Sequence, residues 1–273
     1  MDWFCKRAKS VLFAVALGAL FFSSRASAQT QSSSAPDTPK PQEASTDDGW
    51  HAFITPYIWF ASERGTAGAL GHEASVDASF GDIFNYLNIG AMGTVEVRHD
   101  RVLMPVDFLW MRLSDNKALP LNNPEAESIK ATLSEFFVTP KIGYRVADGK
   151  RVKVDALFGA RVWHLGTTLK LQPVQLANGF SQSATWADAV AGGRITFALS
   201  RKAFVIVAGD AGGGDARSDY QIAGLLGYQI SRRWNLLGGY RYLGIDYRPY
   251  GNKQFILDMN VPGVMVGATF TIK

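Results

Sequence analysis

One cysteine and four histidines in 273 residues leave little material for thiol or metal chemistry. Cys5 falls within the first 28 residues, which read as an export signal, so the rest of the chain has no thiol for a disulfide, a metal or a nucleophile. It also precedes the apolar stretch of that signal rather than following it, which excludes a lipoprotein anchor. His51, His72, His99 and His164 are scattered without metal-ligand spacing, so no metal and no cofactor is assigned. Beyond residue 28 no run approaches the roughly 18 consecutive apolar residues that suggest a transmembrane helix, and a helical membrane protein is excluded. A charge excess is missing too. Of the formal net charge of +4, residues 1–28 carry +3, from Lys6, Arg7, Lys9 and Arg25 against Asp2, which leaves +1 for the remainder. Nucleic acid is therefore not an expected partner.

What is present begins with that signal: a basic start, an apolar core over 11–22 too short to span comfortably, and the small residues Ala26, Ser27 and Ala28 as a cleavage site. Export through a cleaved signal peptide, residues 1–28, is expected. Residues 29–49 are rich in Ser, Pro, Gln and acid, without large apolar side chains until Trp50, and read as a disordered periplasmic leader.

From Trp50 onward polar and apolar residues alternate, and short connections alternate with long ones. The short turns fall at 99–101, 147–150, 200–202 and 231–233, and the longer loops at 63–88, 114–127, 172–184, 211–217 and 249–252. This sorting predicts ten antiparallel strands with both ends on one side, eight or twelve being the alternatives. It fits an all-β, up-and-down transmembrane barrel over 50–273, with short turns facing the periplasm and long loops facing outward. A soluble two-sheet sandwich has no reason to sort its loops by length.

The alternation assigns faces. Met104, Val106, Phe108 and Trp110 share one face while Asp107 lies on the other, and Phe136, Val138, Pro140 and Ile142 oppose Glu135, Thr139, Lys141 and Arg145. The inward set collects Glu96, Asp107, Glu135, Asp155, Asp188 and Asp258 against Arg98, Lys141, Arg161, Arg194 and Arg241. Such a near-balanced set predicts a salt-bridged lumen in a narrow barrel, since enclosed charges are costly unless paired and a wide selective pore carries a biased lining. Trp50 and Trp234 at one end, and Trp59, Trp110, Trp163 and Trp186 toward the other, read as two aromatic girdles. Pro56, Pro105, Pro140 and Pro262 fall within strands of a closed barrel, where each removes a ladder hydrogen bond, and so predict bulges. Asp258 points inward only if one residue near Pro262 is bulged out.

The hairpin from Leu225-Leu226-Gly227-Tyr228 through Gly239-Tyr240-Arg241-Tyr242-Leu243, with the closing strand 263–272, resembles small outer-membrane β-barrel proteins of Gram-negative bacteria. The segments Thr55-Pro56-Tyr57-Ile58-Trp59, 76–83 and 209–213 are similar to those of a little-characterised branch of that porin-like group. The resemblance covers most of 50–273. It implies residence in the outer membrane, contact with outer-membrane lipid, and delivery by the barrel-assembly machinery, which reads a final aromatic residue. Here Ile272 and Lys273 stand at that end.

Three candidate sites remain. In the first long loop Ser79-Phe80-Gly81-Asp82 resembles a capping box, and Phe80, Ile83, Phe84 and Leu87 occupy i, i+3, i+4 and i+7, predicting two helical turns that act as a lid or pack on their own rim. His164 with Ser181, Ser183 and Asp188 is the arrangement to weigh for an outer-rim lipid hydrolase or acyltransferase, against chance proximity. The tract 212–215 reads as a hairpin tip rather than a phosphate or calcium site. The expected function is a monomeric structural barrel or narrow small-solute channel without catalytic residues, with the lipid-modifying enzyme as alternative.

Overall fold

The structure is a computed structural model that describes residues 49–69, 72–118, 128–172, 180–249 and 255–272. The expected signal, and the expected leader apart from Gly49, lie outside these residues.

Strand β1 (His51–Ala61) is followed by β2 (Glu63–Ala69), β3 (His72–Ala78) and helix α1 (Phe80–Tyr86). Nine strands then run up and down: β4 (Leu87–His99), β5 (Val102–Ala118), β6 (Ser128–Asp148), β7 (Val152–Gln172), β8 (Phe180–Ala198), β9 (Ala203–Gly214), β10 (Ser218–Gln229), β11 (Trp234–Tyr247) and β12 (Phe255–Ile272). β1 and these nine pair antiparallel in sequence order, and β12 pairs back onto β1, which closes a ten-stranded barrel. The ten expected strands are all present.

The first long connection differs from expectation, because most of it is sheet. β2 continues the β1–β12 ladder without a slip: Ala61 faces Gly263, and beyond a step at Ser62, Arg64 faces Asn260. β3 folds back on β2 as an added hairpin. The sequence hides it because ERGTAGA and HEASVDA carry mostly small or charged residues where a strand signal needs large apolar ones. Likewise β9 does not stop at 210. It runs to Gly214 beside β8, so all but Asp215 of the tract expected as a loop tip is strand. Glycine is needed there because a Cβ on residue 212 would lie 1.7 Å from the Ala189 carbonyl oxygen.

The prolines do not make the expected bulges. Register is unchanged through Pro262, where Tyr242 faces Pro262 and Asp246 faces Asp258 on one diagonal. It also holds across Pro56, Pro105 and Pro140, where paired rungs are skipped and then resume in phase. Losing a donor costs one rung, whereas a bulge would turn every later side chain to the wrong face. Register shifts instead fall at 87–89 and 145–147.

Residues of one parity point out and are apolar: Ile54, Ile58, Ile142, Phe158, Leu226, Leu236, Val264 and Val266 are all exposed. A girdle of this extent is stable against hydrocarbon rather than water, so the barrel is a transmembrane one. Trp234 beside Phe270 marks the girdle's short-turn edge, with ring centroids 4.8 Å apart, and Tyr220 on Tyr242, with Trp110, marks its long-loop edge. Trp59, Trp163 and Trp186 do not belong to it. They have inward parity and are buried in the lumen. At 21 residues each, β6 and β7 exceed the roughly 9–11 needed to cross a bilayer, so the wall extends past the girdle at the long-loop end.

The wall is not sealed all the way up. The β1–β4 ladder runs from His51 opposite Arg98 to Pro56 opposite Gly93 and stops, although β1 continues to Ala61 and β4 begins at Leu87. Pro56 lacks an N–H, which helps end the ladder there. Among the described residues the outer edge of β3 pairs with no strand either, so the opening persists toward the long-loop end. α1 stands beside it. Ser79 caps this helix, its hydroxyl accepting from the Asp82 N–H at 3.2 Å while the Asp82 carboxylate accepts from the Ser79 N–H at 2.9 Å. Phe80 meets Phe60 edge-on at 4.9 Å, and Ile83 and Leu87 pack toward the lumen, while Phe84 stays 61% exposed.

Candidate functional site

The lumen is built in tiers by inward residues at successive heights. Nearest the short turns, Arg194 of β8 reaches across to Glu96 of β4, donating from Nη1 to Oε2 at 2.6 Å, and also donates from Nε to Asp155 of β7 at 3.0 Å. Arg145 donates from Nε to the other Asp155 oxygen at 2.8 Å, and Arg98 pairs with Glu96. A vestibule of about 420 Å³ lies beside this tier, lined by Phe53, Glu96, Arg98 and Arg194.

The middle tier is one continuous network. Arg241 donates to Asp107 at 2.8 Å, to the Tyr57 hydroxyl at 2.9 Å and to the Gln221 carbonyl at 2.5 Å. Tyr57 in turn donates to Asp107 at 2.8 Å. The Gln221 amide donates to Asp210 at 2.6 Å, and Asp210 also takes Lys141 and, at 2.7 Å, Arg161. Arg161 is fully buried; it pairs with Asp219 and donates from Nε to Thr139 at 3.0 Å. Asp219 finally accepts from the Trp163 indole N–H at 2.8 Å. Three acids face three bases, and with Thr94 bonded to Asp107 the members come from β1, β4, β5, β6, β7, β9, β10 and β11. Of the ten barrel strands, β8 and β12 contribute none among the described residues. A belt drawn from so many strands with all charges matched crosses the barrel, and moving any one member strands a partner.

Above the belt the lining turns apolar. Phe137, Trp163, Trp186 and Tyr247 form a chain of rings with successive centroids 4.8, 5.8 and 4.0 Å apart. Around them lie two cavity lobes of about 280 and 340 Å³, which share Trp163, Val261, Glu63 and Glu135 among their walls. The first lobe also takes Ile58, Phe60, Phe80 and Phe84 into its lining, so it reaches from Trp163 in the lumen to the opening between β1 and β4.

The sequence-assigned charges divide accordingly. Glu96, Arg98, Asp155 and Arg194 meet in the lower tier, and Asp107, Lys141, Arg161 and Arg241 in the belt. Glu135 lines the apolar chamber instead, with no cation among the described residues. Asp188 is buried without an ion pair, one oxygen accepting from the Ala216 N–H at 2.8 Å and the other unpartnered among the described residues. Asp258 is a correction: with no bulge at Pro262 it keeps outward parity, and it binds Arg248 at 2.9 Å near the long-loop rim. Sequence reasoning left out Asp210, Asp219, Gln221 and Tyr57, and placed Arg145 inward without pairing it. Asp219, Gln221 and Leu225 share a parity that could have found two of them, but Asp210 closed an expected strand and Asp219 stood second in the next, where faces are hardest to assign.

His164 does not form the weighed hydrolase arrangement. It points outward and bonds Thr185 Oγ1 at 2.7 Å, whereas Asp188 points inward on the far side of the sheet.

No protein-family model matches the chain, and no curated protein sequence does. Among solved structures it is similar to the outer-membrane protease OmpT of Escherichia coli, at 7% identity over 83% of this chain and 98% of that one, with a TM-score of 0.46. It is also similar to the attachment invasion locus protein Ail of Yersinia pestis, at 13% identity over 82% and 99% of the two chains, TM-score 0.40. Neisserial surface protein A matches at 11% identity over 81% and 98%, TM-score 0.34. The likeness is one of antiparallel barrels, and no role is carried across it.

Proposed function

We propose that this chain is a monomeric outer-membrane barrel whose lumen is closed to ions and whose long-loop half takes up a small, largely apolar solute. The observation that carries this reading is the division of the lumen into a matched ionic belt below and a chamber walled by Trp59, Phe137, Trp163 and Leu243 above. Conduction would require buried pairs to part, at a cost of about 3–5 kcal/mol for each charge left uncompensated. A purely structural barrel of ten strands fills its interior with side chains and has no use for chamber lobes of about 280 and 340 Å³. The apolar girdle and the export signal expected at residues 1–28 support the outer membrane as its residence, and outer-membrane lipid and the barrel-assembly machinery are the partners this reading requires.

Native mass spectrometry of the barrel released from lipid nanodiscs tests the chamber directly. With dodecanol as probe, one retained molecule per barrel is expected, and displacement by a Leu243→Trp change that fills the chamber. A barrel that retains no dodecanol would contradict the reading.

A further inference from the structure

One feature of the chamber is unexplained by uptake of an apolar solute alone. Glu63 of β2 and Glu135 of β6 both line both of its lobes and lie within reach of each other's charge, and among the described residues neither meets a cation or accepts a hydrogen bond. Glu63 and Glu135 are half-buried, and every fully buried acid of the lumen except Asp188 is matched to a base among the described residues. Two carboxylates in apolar surroundings are costly unless a positive group joins them.

The opening between β1 and β4 supplies a route. It starts at Pro56 and Gly93, at a height where outward side chains such as Ile58 still belong to the apolar girdle, and it continues toward the long-loop end. Its borders are Ile58, Phe60, Phe80 and Phe84, an apolar doorway that an alkyl chain crosses without losing contact with hydrocarbon. α1 is held there by little: none of its residues is buried, and Phe80 against Phe60 is its one aromatic contact with the barrel wall.

We propose that the chamber binds a single-chain cationic amphiphile, an alkyl ammonium, and that this ligand enters sideways from the membrane between β1 and β4, past α1. The ammonium sits between Glu63 and Glu135, and the chain lies along Phe137, Trp163 and Leu243. This deepens the uptake reading above and rests on it.

The test uses the barrel in phosphatidylcholine nanodiscs with three probes of equal chain length: N-dodecylethanolamine, dodecanol and dodecanoate. Native mass spectrometry and titration are expected to give one bound amine, held at least tenfold more tightly than the alcohol and more tightly still than the carboxylate. In Glu63→Gln/Glu135→Gln that preference should vanish while dodecanol binding persists; if the double variant does not refold, each single variant should lower the preference at least threefold. For the route, Phe60→Cys/Phe84→Cys in a barrel otherwise free of cysteine should take up the amine at least tenfold more slowly once bridged by a short bis-thiol linker than it does before bridging. Equal affinity for amine and alcohol, or a preference that survives the glutamine variants, overturns the head-group assignment and leaves the apolar chamber standing. Unchanged uptake after bridging overturns the lateral route. Failure of all three probes to bind overturns the uptake reading itself.

Discussion

Arg161 holds the belt together, since it is fully buried and is shared by Asp210, Asp219 and Thr139. Replacing it with Met leaves Lys141 on Asp210 but strips Asp219 of its one cation among the described residues, so Arg161→Met should lower stability by about 3–5 kcal/mol, read from urea unfolding of the refolded barrel. Asp188 makes the opposite case. It has no cation to strand, and Asn in its place keeps the carbonyl that accepts from Ala216, so Asp188→Asn should cost less than about 1 kcal/mol in the same assay. At this scale the sequence is informative about which charges turn inward, because parity along a strand is a backbone property that needs no neighbours. It is silent about partners. Arg194 with Glu96, and Arg241 with Asp107, join residues 98 and 134 positions apart, and nothing local encodes such distances. Trp59, Trp163 and Trp186 were misassigned when height along the strand was weighed without parity, since each shares an inward face with Tyr57, Arg161 or Asp188.

Among the elements, α1 and the stretch where β1 and β4 no longer pair with each other differ from the rest of the wall. Ladder amides exchange slowly only where they are bonded on a closed sheet, so the stretches 57–61 and 87–92 should show faster hydrogen–deuterium exchange than 51–56 and 93–98 of the same two strands. Uniform protection along both strands would place β4 against β1 throughout. The cap of α1 adds a pH dependence. The Ser79 hydroxyl and N–H hold the Asp82 carboxyl below the usual carboxylate range, so the cap's contribution is complete above that range and is lost as pH falls through the lowered value. A fluorophore on Asn85→Cys should report a helix that loosens in acid, and Ser79→Ala should bring the loosened state to neutral pH. The capping box and the Phe80, Ile83, Phe84 and Leu87 spacing were legible because both are local, although Leu87 itself opens β4. The β2–β3 hairpin was not legible, because its small residues earn their strand geometry from the neighbouring edge of β12 rather than from their own side chains. The proline bulges failed for a related reason. A lone residue's preference for a bulge yields to the ten-strand register that a slip would break.

For the whole molecule, closure of the sheet turns an apolar face to lipid and encloses the charged one. The sorted turn and loop lengths, the apolar outward parity and the near-neutral inward set sufficed to predict a ten-stranded barrel with a salt-bridged interior. The division of that interior into an ionic floor and an apolar chamber depends on how high each inward residue sits, which register alone fixes. Because the belt draws on eight strands, loss of one central charge should affect permeation as well as stability. In planar bilayers at neutral pH the intact barrel should show no stepwise current, while Arg161→Ala/Arg241→Ala, provided it refolds, should show discrete ion-conducting steps. Ohmic conductance from the unaltered protein would contradict a lumen sealed by paired charges.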